Sequence, residues 1–324
     1  SGITLDKTKA FIDALDGKRY MDIFSIHLYD GGGGPELGIT KRWTESLREL
    51  LDTYPEYKDV PLLMSEAGWS TRDGSGVSDR RQAALLARLF AFNDAKNYFE
   101  KINWYDFQND GHYKSEIEHN FGVVKFFWPS WDNPTAYAAR PSFLSYTNFV
   151  CQTGKASFVS EVNAGDGVYT YKYEKNNGNI LYIINTYNDD VKPAQLTFEK
   201  GTRAVVYDMY GNGKSVVLSD GVYNTTATLE PIYLEIINDN NVGNLSLAKS
   251  NGKVTASVDI AAGHGMTLFL AKYNDGRLTG ISSGIKSVYG AQTLSAELEL
   301  TSSQYKAILL DENMQPLKYA ELSD

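Results

Sequence analysis

Near residue 150 the chain changes rhythm, and that change limits its fold more than any other feature. Before it, apolar segments of strand length alternate with amphipathic helical stretches; past residue 155, short strands follow one another between turn residues. Thr8 to Leu15 reads as a short helix and Met21 to Leu28 as an apolar strand. Lys41 to Thr53 carries Trp43, Leu47, Leu50 and Leu51 at helical spacing, and Pro61 to Ser65 is a second strand. Ser78-Asp79 can cap a long helix, Arg80 to Asn97, in which Ala83, Leu86, Ala87, Phe90 and Ala91 form one apolar stripe. A strand from Ile102 to Phe107, an irregular stretch through Trp131 and a last helix from about Pro134 to Val150 follow. Such alternation predicts a parallel sheet with crossover helices.

The second rhythm predicts all-β structure. Gly167 to Glu174 and Ile180 to Thr186 flank an Asn-Gly turn at residues 176–179 and read as a hairpin. Arg203 to Asp208, Val216 to Leu218 and Thr226 to Ile237 extend this into a sandwich. The polar run at 238–241 reads as a linker. Val254 to Ile260, Met266 to Tyr273, Leu294 to Leu300 and Tyr305 to Leu310 then form a second, smaller sandwich.

Composition removes some function classes. A net charge of -9 and no basic stripe argue against a nucleic-acid partner, because phosphate backbones demand clustered Lys and Arg. The single Cys151 excludes an internal disulfide framework and a cysteine-based zinc site, and reads as a small buried residue late in a helix. No run of roughly 18 to 20 apolar residues is present to span a bilayer, and no metal or cofactor motif stands out. The opening Ser-Gly-Ile-Thr-Leu-Asp-Lys is polar, has no signal-peptide pattern and reads as the start of an excised piece, so it says little about export. The 22 Tyr, 14 Phe and five Trp suit stacking on sugar faces and suit sandwich cores equally well.

Glu66 is the residue to explain. It ends the apolar run Leu62-Leu63-Met64-Ser65 just before Ala67-Gly68-Trp69, the place where a buried parallel strand delivers a functional group into its loop. The first strand ends at His27-Leu28-Tyr29-Asp30, followed by Gly31 to Gly34, and the third runs Trp104-Tyr105-Asp106-Phe107 into Asp110. Polar groups at the same edge of successive strands point to one pocket. Each has a plain structural reading beside it: a satisfied core histidine, a buried acid with a partner, aromatic packing. The four glycines lack the Lys-Ser/Thr of a phosphate loop and read as a flexible loop at the pocket mouth.

In order and spacing, His-Leu-Tyr, Ser-Glu-Ala-Gly-Trp and Trp-Tyr-Asp-Phe resemble the sixth, seventh and eighth strands of a clan A glycoside hydrolase, of the xylosidase and iduronidase type. Glu118 to Val124 and Pro134 to Tyr137 resemble the following loop and final helix. The resemblance implies an α/β plus all-β chain. Residues 1–153 would be the last three strand-helix units of an incomplete (β/α) barrel, followed by sandwiches at 154–238 and 239–324. It implies retaining hydrolysis with Glu66 as nucleophile, His27 and Tyr29 orienting it, and Trp104 as the floor under the sugar. Asp106 would bind substrate beside Trp104, while Trp69 either lines the same pocket or packs beneath the loop. Oligo- or polysaccharide is the implied partner, with no cofactor, and the location extracellular or at the cell surface.

A complete barrel has eight strands, and retention needs a second carboxylate roughly 5 to 5.5 Å from the first. The strand that would carry it is not visible, and Asp30, Asp106, Asp110, Glu116 and Glu118 do not match its motif. A missing amino-terminal half or a dimer partner is therefore expected to cover the open sheet. The competing reading is a non-catalytic carbohydrate-binding or cell-surface structural module.

Overall fold

A computed structural model describes residues 4–126, 137–176, 178–238, 242–260, 266–285, 292–311, 314 and 316–323. Helix α1 (Leu5–Asp13) leads into β1 (Phe24–His27), α2 (Ile39–Asp52), β2 (Leu62–Ala67), α3 (Asp79–Lys96), β3 (Lys101–Trp104) and, after a 3-10 turn at Glu118–Asn120, α4 (Pro141–Thr153). The three strands form one parallel sheet in the order β1-β2-β3. Among the described residues this sheet is open at both edges and closes no barrel.

Helix α3 organises this half of the chain. Its ends are well specified: Ser78 accepts from the Arg81 N–H, Asp79 sits in the first turn, Lys96 in the last, and Asn97 closes it in the left-handed conformation. Burial is wider than a single stripe. Leu85 and Leu89 pack into the core beneath β1 and β2, Ala87 and Ala91 against Phe149 and the following sandwich, Ala83 and Ala84 against Met209, and Leu86 against Val123 and Val124. An exposed helix shows one apolar face; this one is covered from several sides.

Within that packing lies an ion pair. Arg88 Nε donates to Glu36 Oε1 at 2.8 Å and Nη2 to Oε2 at 2.5 Å, with both side chains fully buried. Asn185 of the sandwich donates to the same Glu36 Oε1 at 3.0 Å. The second half of the glycine loop is therefore packed: Gly34 is buried and Gly33 half-buried, while Gly31 and Gly32 are exposed. A Cβ on Gly34 would lie 2.2 Å from Arg88 Nη2, so only glycine admits the pair. Gly34 N–H also donates to Asn188 Oδ1 at 3.2 Å. Asp30 is likewise structural: Gly38 cannot cap α2, and Asp30 accepts from the Thr40 N–H at 2.9 Å and from the Thr40 hydroxyl.

The all-β part begins with β4 (Ala156–Glu161), β5 (Val168–Lys175), β6 (Ile180–Thr186), β7 (Lys192–Thr197), β8 (Thr202–Tyr207), β9 (Gly213–Leu218), β10 (Val222–Ala227) and β11 (Ile232–Ile236). Six of these make a sheet, β4-β5-β6-β11-β8-β9, and β7 pairs with β10. One sheet face packs on α3 and α4, and the other buries Ile184, Ala204 and Leu234 with Ala194, Leu196 and Tyr223. The remainder, β12 (Ser246–Ser250), β13 (Lys253–Ile260), β14 (Thr267–Asn274), β15 (Arg277–Ile285), β16 (Gln292–Glu299), β17 (Gln304–Leu310) and β18 (Pro316–Ser323), forms sheets β12-β13-β16 and β15-β14-β17-β18 over a separate core.

Three expectations change. The last helix starts at Pro141, not near 134: residues 134–136 lie outside the described residues, and Ala138 to Arg140 run extended against Val123 to Lys125. The single strand expected at Thr226 to Ile237 is two, β10 and β11, broken where Pro231 has no N–H to give. Cys151 is exposed, because α4 buries Phe149 and Gln152 on its other side. The linker at 238–241 falls largely outside the described residues.

Replacing Arg88 by Met leaves Glu36 charged and unpaired in the interior, which is expected to cost roughly 3 to 5 kcal/mol. Urea unfolding followed by far-UV circular dichroism measures this, and a midpoint unchanged from the native chain would contradict it.

Candidate active site

Strand pairing brings the carboxylate and its neighbours together. In the β1–β2 register, His27 stands opposite Glu66 after a bulge at Ile26/His27. His27 Nδ1 lies 3.1 Å from Glu66 Oε2, and the Tyr29 hydroxyl donates to the same oxygen at 2.8 Å. Among the described residues Oε1 carries no hydrogen bond. A carboxylate tethered through one oxygen with the other free is oriented as a nucleophile or base requires. About a third of the Glu66 side chain and half of the His27 side chain face solvent, 36% and 53%.

Tyr29 keeps its proton. Burial raises its pKa first, the Glu66 carboxylate raises it further through the hydrogen bond and its charge, and Glu118 adds to this. Its ring meets Phe121 edge-on at 5.6 Å, and Tyr105 meets the other side of the same cluster at 5.3 Å. Tyr105 donates to Asp110 Oδ2 at 2.9 Å, and burial, Asp110 and Glu118 hold its hydroxyl protonated too.

The two tryptophans differ in placement. Trp104 is half-buried and donates to the Phe121 carbonyl at 3.3 Å. Trp69 is only 2% exposed; it stacks on Trp104 with centroids 5.8 Å apart and donates to the Gly33 carbonyl at 3.0 Å. Of the two expectations for Trp69, packing beneath the loop is what the structure contains. It lies almost fully buried against Trp104.

The loops are held by groups that sequence inspection passed over. Gln82, fully buried on α3, donates to the carbonyls of Trp69 and Phe121 at 2.7 and 3.1 Å. Arg140, 3% exposed, donates to Thr71 Oγ1, Asn109 Oδ1, the Gly122 carbonyl and Asp79. Gly68 admits the close approach of the third strand's loop, since a Cβ there would sit 2.2 Å from the Tyr105 carbonyl oxygen. A helix-interior Gln and a pre-proline Arg carry no local signature of such a role.

Asp106 sits beside this set with one carboxyl oxygen, Oδ1, buried and unpaired. Burial, then the charge of Asp110 and a hydrogen bond shared with it, push its pKa up to about 7. A cavity of about 440 Å³ lined by Asp94, Phe99, Phe149 and Tyr173 opens at the entry end of β3, and none of its lining residues belongs to the Glu66 set. Among the described residues no cluster of His, Cys, Asp and Glu could hold a metal ion, and no helix is long and apolar enough to cross a membrane.

Solved glycoside hydrolases are similar to this fold over part of the chain. A family 39 glycoside hydrolase from the gut symbiont Bacteroides cellulosilyticus WH2 matches with a TM-score of 0.58 at 20% identity, over 71% of this chain and 47% of that one. The fold is glycosidase-like. A glucosidase from Croceicoccus marinus matches with a TM-score of 0.50 at 13% identity, over 73% of this chain and 58% of that one. The chain thus matches about half the length of each, and at these identities the likeness establishes the fold alone. No protein-family model and no curated protein matches the chain.

The state of Asp106 has a measurable consequence. An unfolded Asp titrates near ~3.9, whereas in the native chain Asp106 holds its proton up to about pH 7. Between these values the native state binds the extra proton, so stability falls as pH rises through that window. Asp106→Asn is therefore expected to melt above the native chain at pH 8 and level with it near pH 4. A difference independent of pH would refute the assignment.

Proposed function

We propose that the chain is part of a retaining glycoside hydrolase of clan A type, with Glu66 as its nucleophile. The observation that carries this reading is Glu66 itself, at the carboxyl end of a parallel strand, with Oε2 held by Tyr29 and His27 and Oε1 free. In the reaction Oε1 attacks the anomeric carbon and the glycosidic C–O bond breaks. A protonated second carboxyl supplies the leaving oxygen's proton, and water then hydrolyses the glycosyl ester. Tyr29 and His27 hold the carboxylate's attack geometry. Trp104, backed by Trp69, forms the floor under the sugar, and Asp106 lies at its side.

In this reading residues 1–153 supply the last three strand-helix units of the barrel, and 154–238 and 239–324 are two sandwich domains. The acid/base carboxylate comes from strands outside β1 to β3, in another segment or another chain. The two open sheet edges support this, as do Tyr20 and Ile23, which lie exposed just before β1. Oligo- or polysaccharide outside the cell or at its surface is the substrate class. The same open sheet supports a second reading, a non-catalytic glycan-binding or structural module in which Glu66 has no covalent task.

A 2-deoxy-2-fluoroglycosyl fluoride separates the two, because fluoride departs without acid assistance and the trapped ester reports the nucleophile alone. Intact-mass analysis and peptide mapping are expected to find one sugar on Glu66, none after Glu66→Gln. Labelling after Tyr29→Phe is expected to slow roughly ten- to hundredfold, the worth of a hydrogen bond to a charged group. Persistent absence of label across several sugar configurations would sink the nucleophile assignment and favour the binding module.

A further inference from the structure

Three consecutive backbone carbonyls, those of Asn120, Phe121 and Gly122, all accept hydrogen bonds from distant parts of the chain. Asn120 O accepts from the Thr71 N–H at 2.9 Å and from Arg140 Nη1 at 3.3 Å. Phe121 O accepts from Gln82 Nε2 at 3.1 Å and from Trp104 Nε1 at 3.3 Å. Gly122 O accepts from Arg140 Nη1 at 2.6 Å, and the Gly122 N–H donates to Asn109 Oδ1 at 2.8 Å. Gln82, Arg140 and Asn109 are themselves buried, and Gln82 Oε1 accepts from the Ser142 hydroxyl at 2.8 Å. A buried polar network satisfied on every side is rigid. It pins residues 120–122 to α3, to β3, to the start of α4 and to the loops after β2 and β3.

The pinned ring lies at the centre of the candidate site. Phe121 is 5% exposed and meets Tyr29 edge-on at 5.6 Å and Tyr105 at 5.3 Å. Its Cδ1 also bears on Gly68, two residues past Glu66, where a Cβ would come within 3.1 Å. Edge-to-face contacts orient aromatic rings as well as burying them. Tyr29, two residues beyond β1, has its ring on Phe121 and its hydroxyl on Glu66 Oε2, to which it donates at 2.8 Å.

We infer that Phe121 is a positioning residue: wedged between Tyr29, Tyr105 and Gly68, it fixes the Tyr29 phenol against Glu66, and Gln82, Arg140 and Asn109 hold the wedge in place. It acts through Tyr29 and touches no reacting atom. The hydrogen bond it sets is a property of the fold; its bearing on the reaction rests on the reading of Glu66 as nucleophile.

Two measurements on the full chain test the two parts separately. In the first, tyrosines carry 13C at Cζ and the Tyr29 resonance is assigned by its loss in Tyr29→Phe. Glu66→Gln exchanges a charged acceptor for an amide and is expected to move that resonance. In Phe121→Leu the movement is expected to shrink at least about twofold, because a phenol free to turn loses its alignment. Phe121→Met, whose unbranched side chain fills the same space, is the second variant, and circular dichroism shows that each is folded. A movement of native size in either folded variant would overturn the inference. In the second, the 2-deoxy-2-fluoroglycosyl fluoride is titrated against each chain. Phe121→Leu is expected to lower the maximal rate of Glu66 labelling about tenfold with little change in the half-saturating concentration. Added to Tyr29→Phe, it is expected to cost less than about threefold more. Full additivity would leave Phe121 a packing role alone. Absence of label with the resonance movement intact would sink the nucleophile reading and leave the wedge standing.

Discussion

The buried Arg88–Glu36 pair is the interaction on which the rest of the structure depends. Two charges at full burial persist only when each satisfies the other and neighbouring dipoles complete the shell. Here the shell is drawn from three places: the glycine loop after β1, helix α3 and Asn185 of β6. Satisfying the pair therefore fixes how the α/β half meets the first sandwich. It also fixes the loop beside Glu66, because Gly34 must press against the guanidinium while Gly33 offers its carbonyl to Trp69.

From that junction the site is built outward. Gln82, six residues before Arg88 on the same helix, holds the Trp69 and Phe121 carbonyls. Those two anchor Trp104 and the aromatic pair Tyr29 and Tyr105. Each tyrosine then presents a protonated hydroxyl to a different acid, Glu66 or Asp110. The outcome is a carboxylate with one fixed oxygen in an aromatic-walled setting, standing on a rigid helix rather than on loops alone.

Much of the architecture was legible because periodicity reports burial directly. The strand ends at His27, Glu66 and Trp104 fell to one edge, since parallel strands linked by helices must all run the same way. Several edge and amphipathic strands escaped notice, among them β7, β12, β15 and β18. They are short or lie at sheet edges and expose much of their length, and β7 even carries Pro193. The roles of Arg140, Gln82 and Asp30 were hidden for another reason. Each acts on groups eight or more residues away, and no local pattern encodes such a partner.

The sequence by itself determined the order of helices and strands in the α/β half, the division between an α/β and an all-β half, and the presence of Glu66 at a strand's carboxyl end. These follow from short-range repeats and from the chemistry of single residues. Only the tertiary structure decided that Trp69 packs beneath the loop, that Gly33 and Gly34 are packed while Gly31 and Gly32 stay exposed, and that Gln82 and Arg140 hold the surrounding loops. Those outcomes depend on distances between segments far apart in the chain, which packing sets and local pattern does not.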